Sequence, residues 1–147
     1  MQSSTYSFKD VSGGMSSVNG PFSFAGQIGV GEFIINMHTE QSVLDTAADG
    51  LIMPSALAGQ SGAMTIQVQQ TSALHRYLLA WYNLLKQARD NGDVSQWFGA
   101  AVSLVSKTDG SSHQLTGVAP TKIPDKTYGP QGVRLSWQLL ACNIENQ

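Results

Sequence analysis

Charge is what this sequence has least of. Only 12% of its 147 residues are Asp, Glu, Lys or Arg, against about 25% in an ordinary soluble domain. The chain is not unusually apolar in compensation; Ser, Thr, Gln, Asn and Gly fill the difference, so its surface must be largely neutral and polar. Such a surface gives up the repulsion that keeps monomers dispersed, which implies either an unusual solubility strategy or a chain covered by other subunits. The 8 Lys and Arg residues form no cluster and the net charge is −2, which excludes tight binding to nucleic acid by phosphate neutralisation. Cys142 is the only cysteine, so no intrachain disulfide forms, and with no charged-then-apolar leader the sequence predicts folding in a reducing cytoplasm. No apolar run approaches the roughly 20 residues that span a bilayer. The length predicts one domain, residues 1–147, large enough to bury its own core.

Catalytic patterns are missing too. His38, His75 and His113 are scattered without the local pairings of a zinc site, and read as ordinary surface or core histidines. Cys142 has no nearby His and reads as a small buried hydrophobe. Gly26, Gly29 and Gly31 have the wrong spacing for a dinucleotide loop and precede a strand pattern, not a helix. Asp45 and Asp49 would share one helical turn, but Ala47, Ala48 and Gly50 give no frame for acid–base work. There is no Gly-x-Ser-x-Gly elbow and no phosphate-binding loop. The expectation is a non-enzyme with no cofactor and no metal.

What the chain does have is strand alternation around one helix. Tyr6 and Phe8 alternate with Ser7 and Lys9; Ser12-Gly13-Gly14 reads as a turn or bulge; Pro21 to Phe24 alternates again before Gly26 and Gly29. From Glu32 to Glu40, Phe33, Ile35, Met37 and Thr39 share one face, and Ile34, Asn36, His38 and Glu40 the other. A matching strand, Gly62 to Gln70, sets Met64, Ile66 and Val68 against Thr65, Gln67 and Gln69. Such alternation predicts a sheet wet on one side.

Between these strands, residues 41–61 are too long for an ordinary hairpin loop. They carry the apolar run Leu51-Ile52-Met53-Pro54 and then Leu57. Two readings follow: a short helix folded back over its own core, or a contact with another subunit.

The helix spans about residues 73–90. Thr71 or Ser72 caps it; Leu74, Leu78, Trp81, Leu85 and Ala88 line one face; Asn91-Gly92 gives the exit. Tyr77, Leu79, Tyr82 and Leu84 widen the apolar surface, and Arg76, Asn83, Lys86, Gln87 and Arg89 remain outside. Strand patterns at 101–107 and 113–118 flank the turn Thr108-Asp109-Gly110-Ser111. After the loop 119–131, a final strand from Gly132 to about Ile144 alternates Val133, Leu135, Trp137, Leu139 and Ala141 with Arg134, Ser136 and Gln138.

Several blocks carry a resemblance: Ser4-Thr5-Tyr6-Ser7-Phe8-Lys9-Asp10-Val11, Phe24-Ala25-Gly26-Gln27-Ile28-Gly29, Ala47-Ala48-Asp49-Gly50, Val68-Gln69-Gln70-Thr71-Ser72 with Leu78-Leu79-Ala80-Trp81-Tyr82-Asn83, and Lys122-Ile123-Pro124-Asp125-Lys126. With these, the sequence resembles the tail tube proteins of contractile-tailed bacteriophages and prophages. The resemblance implies a mainly β fold with one α-helix, an antiparallel β-sandwich or barrel with a long hairpin and a protruding loop, similar to the type VI secretion tube protein. It further implies a structural subunit of stacked hexameric rings around a DNA channel. The partners would be itself, the tail sheath, a tape-measure protein, the baseplate or initiator and a terminator, with DNA in transit only and no membrane. Its place would be the virion tail, after assembly in the bacterial host cytoplasm. In that setting Leu51, Ile52, Met53, Pro54 and Leu57 are expected at a subunit contact. Asn36, His38, Glu40, Thr65, Gln67 and Gln69 are expected to face the lumen, and Leu74, Leu78, Trp81 and Leu85 the subunit's own core. The alternative is a soluble ligand- or carbohydrate-binding β-sandwich module, which would need exposed clustered aromatics; Phe22, Phe24, Phe33 and Trp137 fall instead on inward positions of their strand patterns.

Overall fold

The computed structural model of the chain describes Thr5, residues 10–25 and residues 30–147. The strand pattern at Tyr6 and Phe8 and the glycines Gly26 and Gly29 lie outside the described residues. The described residues form nine strands and one helix in the order β1 (Val11–Ser17), β2 (Gly20–Ala25), β3 (Val30–Met37), β4 (Ser42–Thr46), β5 (Ile52–Ala56), β6 (Gly62–Gln69), α1 (Ala73–Asp90), β7 (Ala100–Ser106), β8 (Ser112–Lys122) and β9 (Arg134–Asn146). Seven strands form an antiparallel sheet in the order β2-β1-β7-β8-β9-β6-β3; β4 and β5 form a separate two-stranded ribbon. The chain is mainly β with one helix, its sheet curled into a half-barrel.

The curl follows from where the apolar side chains go. Met15 on β1, Met64, Ile66 and Val68 on β6, Val102 and Leu104 on β7, Leu115 on β8, and Leu135, Trp137 and Leu139 on β9 join one buried cluster with the helix. An 18-residue helix is about 27 Å long, and strands from across a seven-stranded sheet reach it only if the sheet bends around it. The natural twist of adjacent strands supplies that bend.

Helix α1 forms where its periodicity places it. Leu74, Leu78, Trp81 and Leu85 are all buried, and Ala88 is half-buried. Ser72 is the cap: its Oγ accepts the His75 amide at 3.2 Å. Asn91 ends the helix, with Gly92 at φ +87°. Tyr77 ties the helix to the β1–β2 turn, its hydroxyl donating to the Gly20 carbonyl and lying 2.7 Å from Ser17 Oγ. At the far end the Arg89 guanidinium stands 5.1 Å from the ring centroid of Trp97, which also meets Tyr82 edge-on.

Four expectations are corrected. Ser12-Gly13-Gly14 is no turn; it runs inside β1, with Gly13 paired to Leu104 on β7 and Phe24 on β2. A Cβ on Gly13 would stand 2.1 Å from the Ser103 carbonyl oxygen, so the glycine serves close backbone approach, and the turn comes later, at Val18-Asn19. Strand β8 continues to Lys122, shortening the following loop to 123–133. Cys142 is exposed, because Leu139 and Ala141 point inward and alternation turns Cys142 out. Asp45 and Asp49 share no helical turn, since Asp45 lies on β4 and Asp49 in the turn beyond it.

Candidate functional site

Residues 41–61 build a second hairpin rather than a loop or a helix. It continues the β3–β6 pair: the His38 amide donates to the Ser61 carbonyl at 2.9 Å, Thr39 Oγ1 and Ser61 Oγ are 2.8 Å apart, and the Leu57 amide donates to the Gln41 carbonyl at 2.9 Å. β4 and β5 then pair Ser42 with Ala56 through Thr46 with Ile52. The tip is Ala47-Ala48-Asp49-Gly50; Asp49 Oδ1 accepts the Leu51 amide at 3.1 Å, and Gly50 adopts φ +89°.

Every residue of β4 and β5 is exposed. Cross-strand partners share a face, so Leu44, Ile52 and Pro54 lie on one side of the ribbon, and Val43, Asp45 and Met53 on the other. Leu44 is 66% exposed, Leu51 70% and Met53 59%. Leu57, at the base, is exposed as well. The folded-back helix is therefore not what forms. An isolated two-stranded ribbon is marginally stable in water, and this one carries apolar residues on both faces with no sheet of the described residues beneath it. Val43 and Leu44 were not singled out from sequence, although Asp49-Gly50 between two short runs is a hairpin signal; the register that forms pairs them with Ser55 and Pro54.

A second surface is the sheet face turned away from the helix. Asn36 is exposed there opposite Ala63, Thr65 and Gln67 are half-buried, and Gln69 is exposed. His38 and Glu40 lie beyond the end of β3, exposed, in the link to the hairpin. Register adds neighbours that alternation alone does not give. Thr65 sits between Ile34 and Gln138, Gln67 between Glu32 and Ser136, and Gln69 opposite Arg134. The β3 and β6 part of the face has no Lys or Arg, but β9 brings Arg134 to its end.

The three histidines stay apart. His38 is exposed; His113 Nδ1 lies 2.6 Å from Asn146 Oδ1; and His75 is buried, 4% exposed, in the first turn of α1. Among the described residues, no group of three His, Cys, Asp or Glu is placed to hold a metal, and no helix is long and apolar enough to cross a membrane.

Trp137 Nε1–H donates to His75 Nδ1 at 3.1 Å, so the neutral ring carries its own proton on Nε2. Burial first, and the Lys126 charge second, hold the His75 pKa below its ordinary 6.5. In the unfolded chain the ring titrates at the ordinary value. As pH falls through about 6.5 the unfolded state therefore binds more protons than the folded one, and stability is lost. The melting temperature is expected to fall between about pH 7.5 and pH 5.5. It should fall less in His75→Gln, which keeps an acceptor for Trp137 without titrating; an equal fall in both proteins would acquit His75.

Residues 3–147 match the family described as Bacteriophage PhiTE tail tube protein. Among solved structures, the sheath–tube complex of the extracellular contractile injection system PVC, in its extended state, resembles the chain at TM-score 0.56 and 12% identity, over 92% of this chain and 87% of that one. The tube-terminating cap of the anti-feeding prophage resembles it at TM-score 0.54 and 11% identity, over 100% and 93%. The baseplate of the same particle gives TM-score 0.53 and 14% identity, over 100% and 97%. At such identities the likeness shows a shared fold, across nearly the whole of each chain. No curated protein sequence matches the chain.

Proposed function

The chain belongs to the Bacteriophage PhiTE tail tube protein family, and from that premise we propose that its copies close into hexameric rings, stacked into the tube of a contractile tail, through which DNA is delivered. The observation that carries this reading is the β4–β5 ribbon, exposed at every residue and apolar on both faces. A lone chain gains nothing from it; a neighbouring copy would bury it. The open sheet points the same way. β2 and β3 are its two edges, and edges invite pairing with another chain unless something covers them. Stacking ring on ring is a heterologous contact, which propagates as a filament until a different protein ends it.

Sheath–tube, cap and baseplate particles among the structural neighbours support a tube that meets a sheath outside, a baseplate or initiator at one end and a terminator at the other. A tape-measure protein would set its length. The role is structural, without catalysis, in the virion tail, with assembly in the cytoplasm of the bacterial host. Size-exclusion chromatography with negative-stain microscopy of the purified chain tests the proposal. Rings or tubes are expected, and a monomer that stays monodisperse on concentration would refute it.

The lumen is assigned to the face holding Asn36, Thr65, Gln67 and Gln69, with His38 and Glu40 at its margin, because the opposite face of the same strands is the core. A passage for DNA must avoid stable phosphate contacts, since each slows transit. Replacing Thr65 and Gln67 together with lysine is expected to leave the melting temperature near wild type, while particles built with the variant retain DNA or eject it slowly. Normal ejection through lysine-lined tubes would overturn the assignment.

A further inference from the structure

The acids and bases of this chain are sorted along its strands. Between Lys9 and Arg76 the sequence has no Lys or Arg at all, but it has Asp10, Glu32, Glu40, Asp45 and Asp49. Two of these acids, Asp45 and Asp49, stand at the outer end of the ribbon around Ala47 and Ala48. The ribbon leaves the sheet at the Met37–Gly62 end of the β3–β6 pair. At the other end of β6, Gln69 pairs with Arg134.

That opposite end holds a cavity of about 330 Å³ lined by Gln69, Gln70, Thr71, Gly132, Val133 and Arg134. Its frame is backbone held in place, the Gln70 amide donating to the Val133 carbonyl at 3.1 Å. One arginine lines it, and a second is bonded to the lining residue Thr71. Arg134 is exposed and packs over Gly31, where a Cβ would come within 2.8 Å of its guanidinium nitrogen. Arg76, also exposed, donates to the Thr71 carbonyl at 3.1 Å. Among the described residues neither arginine has an ion-pair partner; the one ion pair found joins Arg89 and Asp90. Glu32 shares the face two strand positions away, opposite Gln67, and is the acid a docked carboxylate would have to tolerate.

We propose that this cavity is the socket for the ribbon tip of a second copy of the chain, with Asp45 and Asp49 meeting Arg134 and Arg76. The proposal rests on the tail tube reading and adds to it the receiving surface of the stack. The fit is one of size and charge: the tip is Ala47-Ala48-Asp49-Gly50, all small, and a guanidinium takes a carboxylate through two parallel hydrogen bonds. Tip and socket lie at opposite ends of the same strand pair, so the contact is head to tail and repeats indefinitely.

Two variants with complementary defects test it. The first reverses the tip, Asp45→Arg with Asp49→Asn, the asparagine keeping an acceptor for the Leu51 amide. The second reverses the socket, Arg76→Glu with Arg134→Glu. Each alone is expected to stay folded and to need roughly tenfold more protein to form tubes, because like charges then meet at every stacking contact. Mixed in equal amounts they should form tubes at the wild-type concentration, since each tip finds an opposite socket when rings of the two kinds alternate. Tubes from either variant alone at wild-type concentration, or no recovery on mixing, would sink the pairing while wild-type tubes still upheld the tail tube reading. A wild-type chain that forms no tubes would sink both. If the glutamates unfold the chain, seen as a lost melting transition, cross-linking decides instead. With Cys142→Ser, Asp45→Cys and Arg134→Cys combined, air oxidation of assembled protein should give disulfide ladders of many copies, and their absence would refute the contact.

Discussion

Trp81→Ala is expected to lower the free energy of unfolding by about 3–5 kcal/mol, the usual cost of emptying a fully buried tryptophan site. Trp81 is 1% exposed, and it sits in one cluster with Leu78 and Leu85 of its own helix and with Trp137, Ile66 and Leu115 from the sheet. The sheet curls around this side chain, so its removal leaves a cavity bordered by strands that cannot close in without losing their register. In a chain of this length such a loss lowers the melting temperature by on the order of 10 °C. Thermal unfolding followed by far-ultraviolet circular dichroism measures it directly. An unchanged melting temperature with defective assembly would move this helix face from the core to a subunit interface.

The opposite behaviour is expected of Ile52→Asp. Ile52 is 55% exposed, and its partner across the ribbon is Thr46, so in the separate chain the aspartate stands in water and changes stability by no more than about 0.5 kcal/mol. In a stack that buries the ribbon, the same carboxylate is desolvated without a counter-ion, at about 3–5 kcal/mol per contact. Every subunit repeats the contact, and tubes should be absent at concentrations where wild type forms them. Pelleting and negative-stain microscopy read the loss, with Ile52→Val as the control that keeps the side chain apolar. Polymerisation of Ile52→Asp at the wild-type concentration would remove the ribbon from the interface. The two substitutions separate folding from assembly: one loses the monomer, the other keeps it.

The helix was legible in the sequence, because its signals are local: a Thr-Ser pair of cap candidates, of which Ser72 serves, apolar spacing close to 3.6 and an Asn-Gly exit. β3, β6 and β9 were legible for a similar reason, since alternation needs no knowledge of the neighbouring strand. The misreadings share a different cause. Gly13-Gly14 looks like a turn to any local rule, and only the approach of the Ser103 carbonyl from β7 explains why side chains are missing there. Asp45 and Asp49, four residues apart, read as one helical turn, whereas Asp49-Gly50 made the tip of a ribbon. The surfaces were half legible. Alternation names which residues leave the core, but that Gln69 meets Arg134 is a fact of register, set by pairings far apart in sequence.

The position of β9 bears on how the chain is made. In the sheet order, β2-β1-β7-β8 lies on one side of it and β6-β3 on the other, and β9 alone joins them. It is also the last of the nine described strands to be synthesised. While the chain grows, β1 can pair with β2, and β3 with β6 to carry their ribbon, but the other edge of β1 must wait for β7, whose Ser106 is the partner of Val11. Pairings across such long stretches of chain are slow to form and leave apolar surface open meanwhile. A ribosome that stops before Arg134 therefore releases two half-sheets that no strand joins, with only the helix and the connecting chain to hold them together and the inward faces of β8 and β6 left without their neighbour.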